Sequence, residues 1–201
     1  MRSFRFALIF TAMMLPGIAY GQDAPRDPAV SQPLPPAPVS APAKDRDSLF
    51  DALKRERDPV KARGIASQIM SNMNDSGSPT VNLLMQWASA AIKEKRNAAA
   101  LDFLDQVTIL DPAYPEGWNR RATLHYTMGE IRKSMADIAE VLRREPRHIG
   151  ALAGMAGILT AAGKDELALK AWERYLAVYP ADRDAQEAVT KLSEKLAGSR
   201  T

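Results

Sequence analysis

Residues 116–129 read EGWNRRATLHYTMG, and residues 82–95 and 150–163 show the same order of residue sizes. Each unit carries a large residue, a small one, a turn, a second small residue, further large ones and a closing proline. Six columns match across three units: Leu84, Trp118 and Leu152; Ala88, Ala122 and Ala156; Ala100, Ser134 and Ala168; Leu104, Ile138 and Trp172; Val107, Val141 and Tyr175; Pro112, Pro146 and Pro180. Such a period indicates one supersecondary unit repeated three times.

The spacing of apolar residues is helical on both sides of each turn. Small residues let two antiparallel helices approach closely, and large residues fill the space between successive pairs. Gly129 and Gly163 mark the turn, where Lys95 stands in the first unit, and the prolines end each second helix. No segment shows the strict alternation of apolar and polar residues that a half-buried strand needs. The sequence therefore predicts an all-α fold.

This pattern resembles the tetratricopeptide repeat (TPR) family, whose unit is a helix–turn–helix of about 34 residues. The resemblance implies a solenoid of helical hairpins over residues 79–182. The predicted repeats are 81–114, 115–148 and 149–182. Two residues depart from the family pattern: Lys95 replaces the turn glycine, and Arg121 occupies a position that is usually apolar. The Arg121 charge must therefore reach solvent or meet a carboxylate.

Further helices are predicted on both sides of the repeats, because a single repeat cannot bury its own apolar face and an array needs caps. Residues 46–77 are predicted to form a hairpin with Asp58 as the N-cap of its second helix, and Ser78 is the predicted N-cap of the helix that follows; proline comes after each cap. Lys54 falls in its small-residue column, so we interpret this hairpin as a degenerate repeat that caps one end. Residues 183–198 are predicted to form a capping helix with one apolar stripe.

Residues 1–21 have the features of a secretory signal peptide. Arg2 and Arg5 precede a short apolar run, and Ala19-Tyr20-Gly21 supplies the small residues of a cleavage site. The run holds about ten apolar residues, and a membrane span needs about 20. We therefore expect no transmembrane segment in the mature chain. The segment 22–45 contains seven of the 14 prolines, which favours a disordered linker.

The composition is that of an ordinary globular protein, with 46% hydrophobic and 25% charged residues. Removal of residues 1–21 lowers the formal charge from +3 to +1, and Lys and Arg form no dense cluster, so a nucleic-acid partner is not expected. The chain has no cysteine, which excludes disulfides, thiolate zinc sites and iron–sulfur clusters. Export without cysteine indicates the bacterial periplasm, since exported animal domains of this size usually carry disulfides.

Residues suited to catalysis are scarce. His125 and His148 are the two histidines, and neither stands in a metal-binding spacing. His125 shares a column with Ala91 and Leu159, which favours a packing role. No GxSxG, P-loop or GxGxxG motif occurs. We therefore predict a protein that is not an enzyme and that requires no cofactor or metal ion.

The TPR resemblance implies a site for a protein partner, because the first helices of such repeats line a concave groove that accepts an extended peptide or a helix. Carried over to this chain, that geometry places nine residues on the groove: Asn82, Met85, Ser89, Lys93, Glu116, Asn119, Thr123, Tyr126 and Thr127. Asn119 stands out because an amide pairs with both the N–H and the C=O of a peptide backbone. Gly150, Gly154 and Gly157 follow on the first helix of the third repeat. Close helix packing, or close approach of a ligand or second subunit, would explain them.

The signal sequence, the proline-rich segment and the repeats together resemble small exported TPR proteins of Gram-negative bacteria, some of which are associated with cell-envelope integrity. This resemblance implies a periplasmic scaffold that binds a protein or peptide through its concave face. The alternative is a structural or self-associating subunit of an envelope complex that uses the glycine-rich face at 150–157. The sequence leaves the identity of the partner and the oligomeric state open.

Overall fold

Nine α-helices build residues 43–198, which are the part of the chain that this computed structural model describes. Their bounds are α1 Ala43–Arg55, α2 Pro59–Met73, α3 Pro79–Lys93, α4 Asn97–Leu110, α5 Pro115–Thr127, α6 Ile131–Arg144, α7 Ile149–Ala161, α8 Asp165–Val178 and α9 Arg183–Gly198. No strand occurs among the described residues, and the predicted all-α fold is confirmed. The predicted signal peptide and residues 22–42 of the predicted linker lie outside them.

The central six helices pair into three hairpins, α3 with α4, α5 with α6 and α7 with α8, which form the predicted helical-hairpin solenoid. Close packing within these pairs depends on the first small-residue column. Ala88, Ala122 and Ala156 are at most 2% exposed. A larger side chain at any of them would hold the two backbones of the hairpin apart.

The turn inside each hairpin uses a left-handed backbone conformation. Gly129 and Gly163 adopt φ angles of 75° and 65° there. Lys95 stands at the equivalent place with a φ angle of 58°, and it is the sole described non-glycine residue with positive φ. A Cβ atom makes this conformation unfavourable, so the first turn carries a conformational cost that the other two avoid.

The N-terminal hairpin, α1 and α2, forms as predicted but does not cap the first repeat. Its helices begin at Ala43, three residues before the predicted start, because Pro42 is the last proline ahead of them. The apolar core of the first repeat contains no residue of α1 or α2.

The hairpin instead lies along the edge of the array where the turns between repeats follow one another. At the first turn, the Tyr114 hydroxyl donates to the Asn74 carbonyl at 2.9 Å. At the second turn, Arg147 pairs with Asp47 at 2.7 Å. Near the third turn, α1 packs against α8, and Tyr179 belongs to the same core as the α1 and α2 side chains. One hairpin therefore contacts all three turns.

The last helix covers the other end of the array. Ala185 and Leu192 of α9 are buried against α8, with exposures of 1% and 6%. Lys195 forms an ion pair with Asp165 at the start of α8, with 2.7 Å between nitrogen and oxygen. The helix spans Arg183–Gly198, the range that the apolar stripe predicts.

Candidate functional site

The first helices of the repeats, α3, α5 and α7, line one side of the array, and we call this surface the groove. Three adjoining hollows lie along it: the first at α3 and the end of α2, the second between α3 and α5, and the third between α5, α6 and α7. All nine predicted residues line these hollows. Asn82 and Met85 line the first; Ser89 and Lys93 the first and second; Glu116 and Thr127 the second; Asn119 and Thr123 the second and third; Tyr126 the third.

Two of the predicted residues in the first hollow are committed to the fold. The Asn82 amide donates to Asp75 Oδ1 at 2.7 Å, and its oxygen accepts from both the N–H and the hydroxyl of Ser76. This hydrogen bond from Asn82 lowers the pKa of the Asp75 carboxyl. Met85 is 6% exposed and belongs to the core of the first repeat. Both residues shape the hollow. The Asn82 amide is hydrogen-bonded within the chain, and the Met85 side chain is packed in the core.

The second hollow is cationic. Lys93 is exposed at its rim, and Arg120 joins the first hollow to the second. Arg120 donates to the Ser89 hydroxyl at 2.6 Å and to the Asn74 side chain at 3.2 Å. Arg120 is not among the predicted site residues, although it stands four residues after Glu116, on the same helical stripe that runs on to Thr127.

A buried polar cluster lies beneath the second hollow. Glu116 is 4% exposed, and its Oε2 accepts from the Asn119 amide at 3.0 Å. The same oxygen lies 3.2 Å from Nε2 of His148, which is fully buried. His148 is the N-cap of α7, and its Nδ1 accepts from the Ala151 N–H at 3.1 Å. Because Nδ1 is an acceptor, Nε2 carries the proton and donates to Glu116.

Glu116 is consequently a positioning residue in the groove wall. It holds the Asn119 amide nitrogen, so the Asn119 carbonyl oxygen is the acceptor that this side chain can offer where it lines the groove. Glu116 lines the second hollow, but its carboxylate is buried and hydrogen-bonded within the chain, and its contact with a partner stays a prediction. The sequence carries one indication of this contact between Glu116 and His148: His148 stands at the start of α7, next to the turn between the second and third repeats.

Aliphatic side chains and glycines supply most of the lining of the third hollow, which has a volume of about 220 Å³. Its floor comes from Ala122, Ile138 and Ile158, and its α7 wall from Gly150, Gly154 and Gly157. A Cβ atom built on Gly157 would meet no atom within 4 Å, and one on Gly154 would meet only Ile138 at 3.6 Å. The glycines at 154 and 157 therefore leave open space in the groove and do not serve close packing against another helix.

Two polar groups accompany this apolar surface. Tyr126 is 47% exposed at its rim. Ser134, on the floor, is 1% exposed, and its hydroxyl has no hydrogen-bond partner among the described residues. A buried hydroxyl without a partner is unfavourable, so Ser134 carries a small cost to stability beneath the floor.

Arg121 lies away from the groove, where it joins the first two repeats. It donates two hydrogen bonds to Asp137, at 2.8 and 2.7 Å, and one to Asp105 at 2.7 Å. The hydrogen bonds to Asp137 raise the pKa of the Arg121 guanidinium further. The charge thus meets carboxylates, as its unusual position required. His125 packs beside this network, 7% exposed and 2.6 Å from Glu130, which confirms a packing role.

Within residues 43–198, no group of three or more histidine, aspartate or glutamate residues is placed to hold a metal ion. None of the helices in this described part is long and apolar enough to cross a membrane.

Comparison with known proteins identifies one close relative. A TPR repeat-containing protein of Rhizobium etli is 64% identical to this chain over 162 residues, which cover 81% of this chain and 79% of the relative. No protein-family model matches the chain.

Solved structures with similar folds come from several TPR proteins. The first TPR domain of Spaghetti (RPAP3) bound to the HSP90 peptide SRMEEVD has a TM-score of 0.55 and 22% identity, and it covers 60% of this chain and 95% of that one. The Sgt2 TPR domain from Aspergillus fumigatus has a TM-score of 0.54 and 18% identity, over 61% and 83% of the two chains. The P58(IPK) TPR domain has a TM-score of 0.54 and 19% identity, over 77% and 42%. At these identities the likeness establishes the fold alone.

Proposed function

Because the chain belongs to the tetratricopeptide repeat family, we propose that it is a non-enzymatic scaffold that binds an extended peptide of another protein in the groove. The observation that carries this proposal is the third hollow. Aliphatic side chains and three glycines line it, and Asn119 and Tyr126 add polar groups beside them. An extended peptide has both apolar side chains and backbone groups to match such a surface.

Each part of the groove has a role in this proposal. The apolar floor receives one large apolar side chain of the peptide, while the Asn119 oxygen accepts a backbone N–H beside it. Farther along, Lys93 and Arg120 favour a peptide that carries an acidic residue toward the α3 end of the groove.

We further propose that the scaffold works in the bacterial periplasm and supports the integrity of the cell envelope. Support comes from the signal-like residues 1–21 and from the absence of cysteine. Cleavage after Gly21 would give a mature protein that begins at Gln22. N-terminal sequencing of the protein recovered by osmotic shock tests this directly, because retention of residues 1–21 would contradict export.

Peptide binding is favoured over self-association through the glycine face at 150–157. The glycines share one hollow with Asn119 and Tyr126, so the face is a concave part of the groove. A second copy would have to insert a protruding segment there, whereas an extended peptide enters a groove directly.

Crosslinking in living cells tests the proposal. A photoreactive amino acid at Thr123, which is exposed in the groove, should capture a partner protein whose identity is then determined. The variant Asn119→Ala/Tyr126→Ala should reduce that captured product about tenfold, because it removes one hydrogen bond and one exposed aromatic contact.

The matched control is Lys170→Ala/Glu173→Ala, which changes two exposed side chains of the outer helix α8 and should leave capture unchanged. Circular dichroism of both variants verifies that the helices are intact. Equal capture by wild type and the groove variant would show that the groove is not the binding surface.

A further inference from the structure

Within residues 43–198, the outer surface of the first repeat is apolar and partly exposed. Leu83 and Trp87 of α3 are 42% and 47% exposed, and Leu110 of α4 is 56% exposed. Phe103 of α4 packs against the Trp87 ring, with 5.7 Å between ring centroids. We call these four residues, Leu83, Trp87, Phe103 and Leu110, the end face.

The equivalent positions of the other two repeats show what this surface is for. A shift by one repeat aligns the end face with Gly117, Arg121, Asp137 and Arg144, and a second shift aligns it with Ala151, Met155, Ala171 and Val178. Three of these residues contact the preceding repeat: a Cβ on Gly117 would meet Val107, Arg121 pairs with Asp105, and Arg144 donates to the Pro112 carbonyl. Ala151 and Ala171 are 1% and 4% exposed. The end face is thus a repeat-stacking surface on which no repeat is stacked.

The array has no element of its own to cover the end face among the described residues. The N-terminal hairpin, which precedes α3 in the chain, lies along the turns instead, and the core of the first repeat contains none of its residues. A terminal repeat normally needs a polar outer surface for solubility. Here that surface carries larger apolar side chains than the buried positions of the later repeats do, which indicates a partner.

We infer that the end face binds the end face of a second copy of this chain. Leu83, Trp87, Phe103 and Leu110 carry no charge, so two identical copies can meet without opposing like charges. The opposite end of the array cannot serve as the partner surface, because α9 covers it and exposes Glu187, Lys191 and Glu194. Contact between like ends closes after two copies, so the assembly is a dimer with twofold symmetry and not a filament.

The dimensions of the face set the expected affinity. Two neighbouring helices of 14 and 15 residues present a patch of roughly 20 by 20 Å, since each residue rises about 1.5 Å and helix axes lie about 9 Å apart. This is small beside the roughly 800 Å² that each partner contributes to a standard interface. We therefore expect a dimer that dissociates in the range of about 10–100 µM.

Sedimentation equilibrium of the mature chain, residues 22–201, tests the inference. The wild type should shift from monomer to dimer between about 1 and 300 µM. Trp87→Glu should weaken dimerisation at least about 100-fold, because it places like charges opposite each other. The matched control is Tyr126→Glu, an equally exposed aromatic in the groove, and it should dimerise as the wild type does.

A charge-reversal mixture separates a specific interface from a misfolded variant. Trp87→Glu and Trp87→Lys should each be monomeric alone and should form a heterodimer when mixed. Failure of the mixture to associate, while each variant keeps its helical circular dichroism, would contradict the like-end contact.

The absence of native cysteine allows a second, independent measurement. Under mild oxidation Leu83→Cys should form a disulfide-linked dimer, whereas Gly157→Cys in the groove should not. The reverse result would place self-association on the glycine face and overturn the inference.

A wild type that stays monomeric throughout would also overturn the inference. In that case, a change in Trp87 fluorescence on deletion of residues 22–42 would assign the end face to the chain's own N-terminal segment. Peptide binding in the groove is tested by other residues and stands or fails separately.

Discussion

The Arg147 guanidinium carbon lies 4.2 Å from the centroid of the Phe50 ring, and the same guanidinium donates to Asp47 at 2.7 Å. Together these contacts tie α1 to the turn between the second and third repeats. Phe50 is 3% exposed and shares one apolar core with Ile149 and Tyr179. The N-terminal hairpin is thus anchored by a buried aromatic ring that an arginine covers.

Truncation of this anchor should release the hairpin from the turns. We expect Phe50→Ala to weaken hairpin docking by about 3 kcal/mol, since buried Phe→Ala changes cost about 3–5 kcal/mol. Amide hydrogen exchange in α1 and α2 should accelerate roughly 100-fold, while the helices of the third repeat keep their protection. Val60→Ala, in the same hairpin but at a side chain that is 76% exposed, is the control and should change neither. Uniform loss of protection over all helices would show that the hairpin and the repeats unfold as one unit.

One substitution in the turn between α3 and α4 should raise the stability of the protein. Lys95 holds a φ angle of 58°, where glycine is the favourable residue. Lys95→Gly should therefore stabilise the protein by about 0.5–1 kcal/mol, the strain relieved being partly offset by the larger entropy of glycine in the unfolded chain. The urea midpoint at unchanged m-value measures it.

The reciprocal change, Gly163→Lys, is the matched control for the third turn, where φ is 65°. It should destabilise by a similar amount, because no side chain lies within 4 Å of a Cβ there and only the backbone conformation is altered. If both substitutions have the same sign, backbone strain is not the cause.

The fold of the repeats could be predicted from sequence because it depends on residue size at fixed spacing. The alanine columns and the prolines report local packing, and local packing is the same in every repeat unit. The path of the N-terminal hairpin could not be predicted in this way. Its docking rests on single contacts between distant positions, such as Arg147 with Asp47 across 100 residues, and no periodic pattern encodes them.

For the candidate site, sequence analysis identified the right side of each helix but not the contacts of each residue. All nine predicted residues line the groove, yet Glu116 is buried against His148, and Asn82 is bound to the loop before α3. Arg120 was overlooked because its importance comes from Ser89 on another helix. Side-chain pairing across helices is set by the tertiary structure, which a helical stripe does not reveal.

The His148–Glu116 pair should be strongly coupled. His148→Ala should destabilise the protein by about 2–3 kcal/mol, because it removes one of the donors to a buried carboxylate, which keeps Asn119 and Arg120, and also removes the N-cap of α7. His148→Asn should lose less, since an asparagine can still cap the helix. Chemical denaturation gives the free energy of unfolding for each variant.

A double-mutant cycle distinguishes pairing from capping. In the wild type, Glu116→Gln weakens the hydrogen bond from His148 and should lower the free energy of unfolding. In the His148→Ala background that hydrogen bond is already absent, so Glu116→Gln should lower the free energy of unfolding by less. Strictly additive losses would show that the two side chains are energetically independent despite the 3.2 Å separation.

Two buried tyrosines should limit stability at alkaline pH. Burial is the main cause that raises the pKa of Tyr114 and Tyr175 above the ordinary value of 10, and the hydrogen bond from Tyr175 to Asp182 adds to it. In the unfolded chain both hydroxyls ionise near pH 10, whereas in the folded chain they stay protonated. Their stabilising contribution is therefore complete below pH 10 and is lost as the pH rises above it, at up to about 1.4 kcal/mol per pH unit for each tyrosine.

The variant Tyr114→Phe/Tyr175→Phe should be less stable at pH 8, where it lacks the hydrogen bonds to Asn74 and Asp182, but its stability should fall less steeply between pH 10 and 11. Urea denaturation at pH 8, 10 and 11 measures both effects, with the exposed Tyr126→Phe as control. Parallel pH profiles for the wild type and the double variant would show that other groups govern alkaline unfolding.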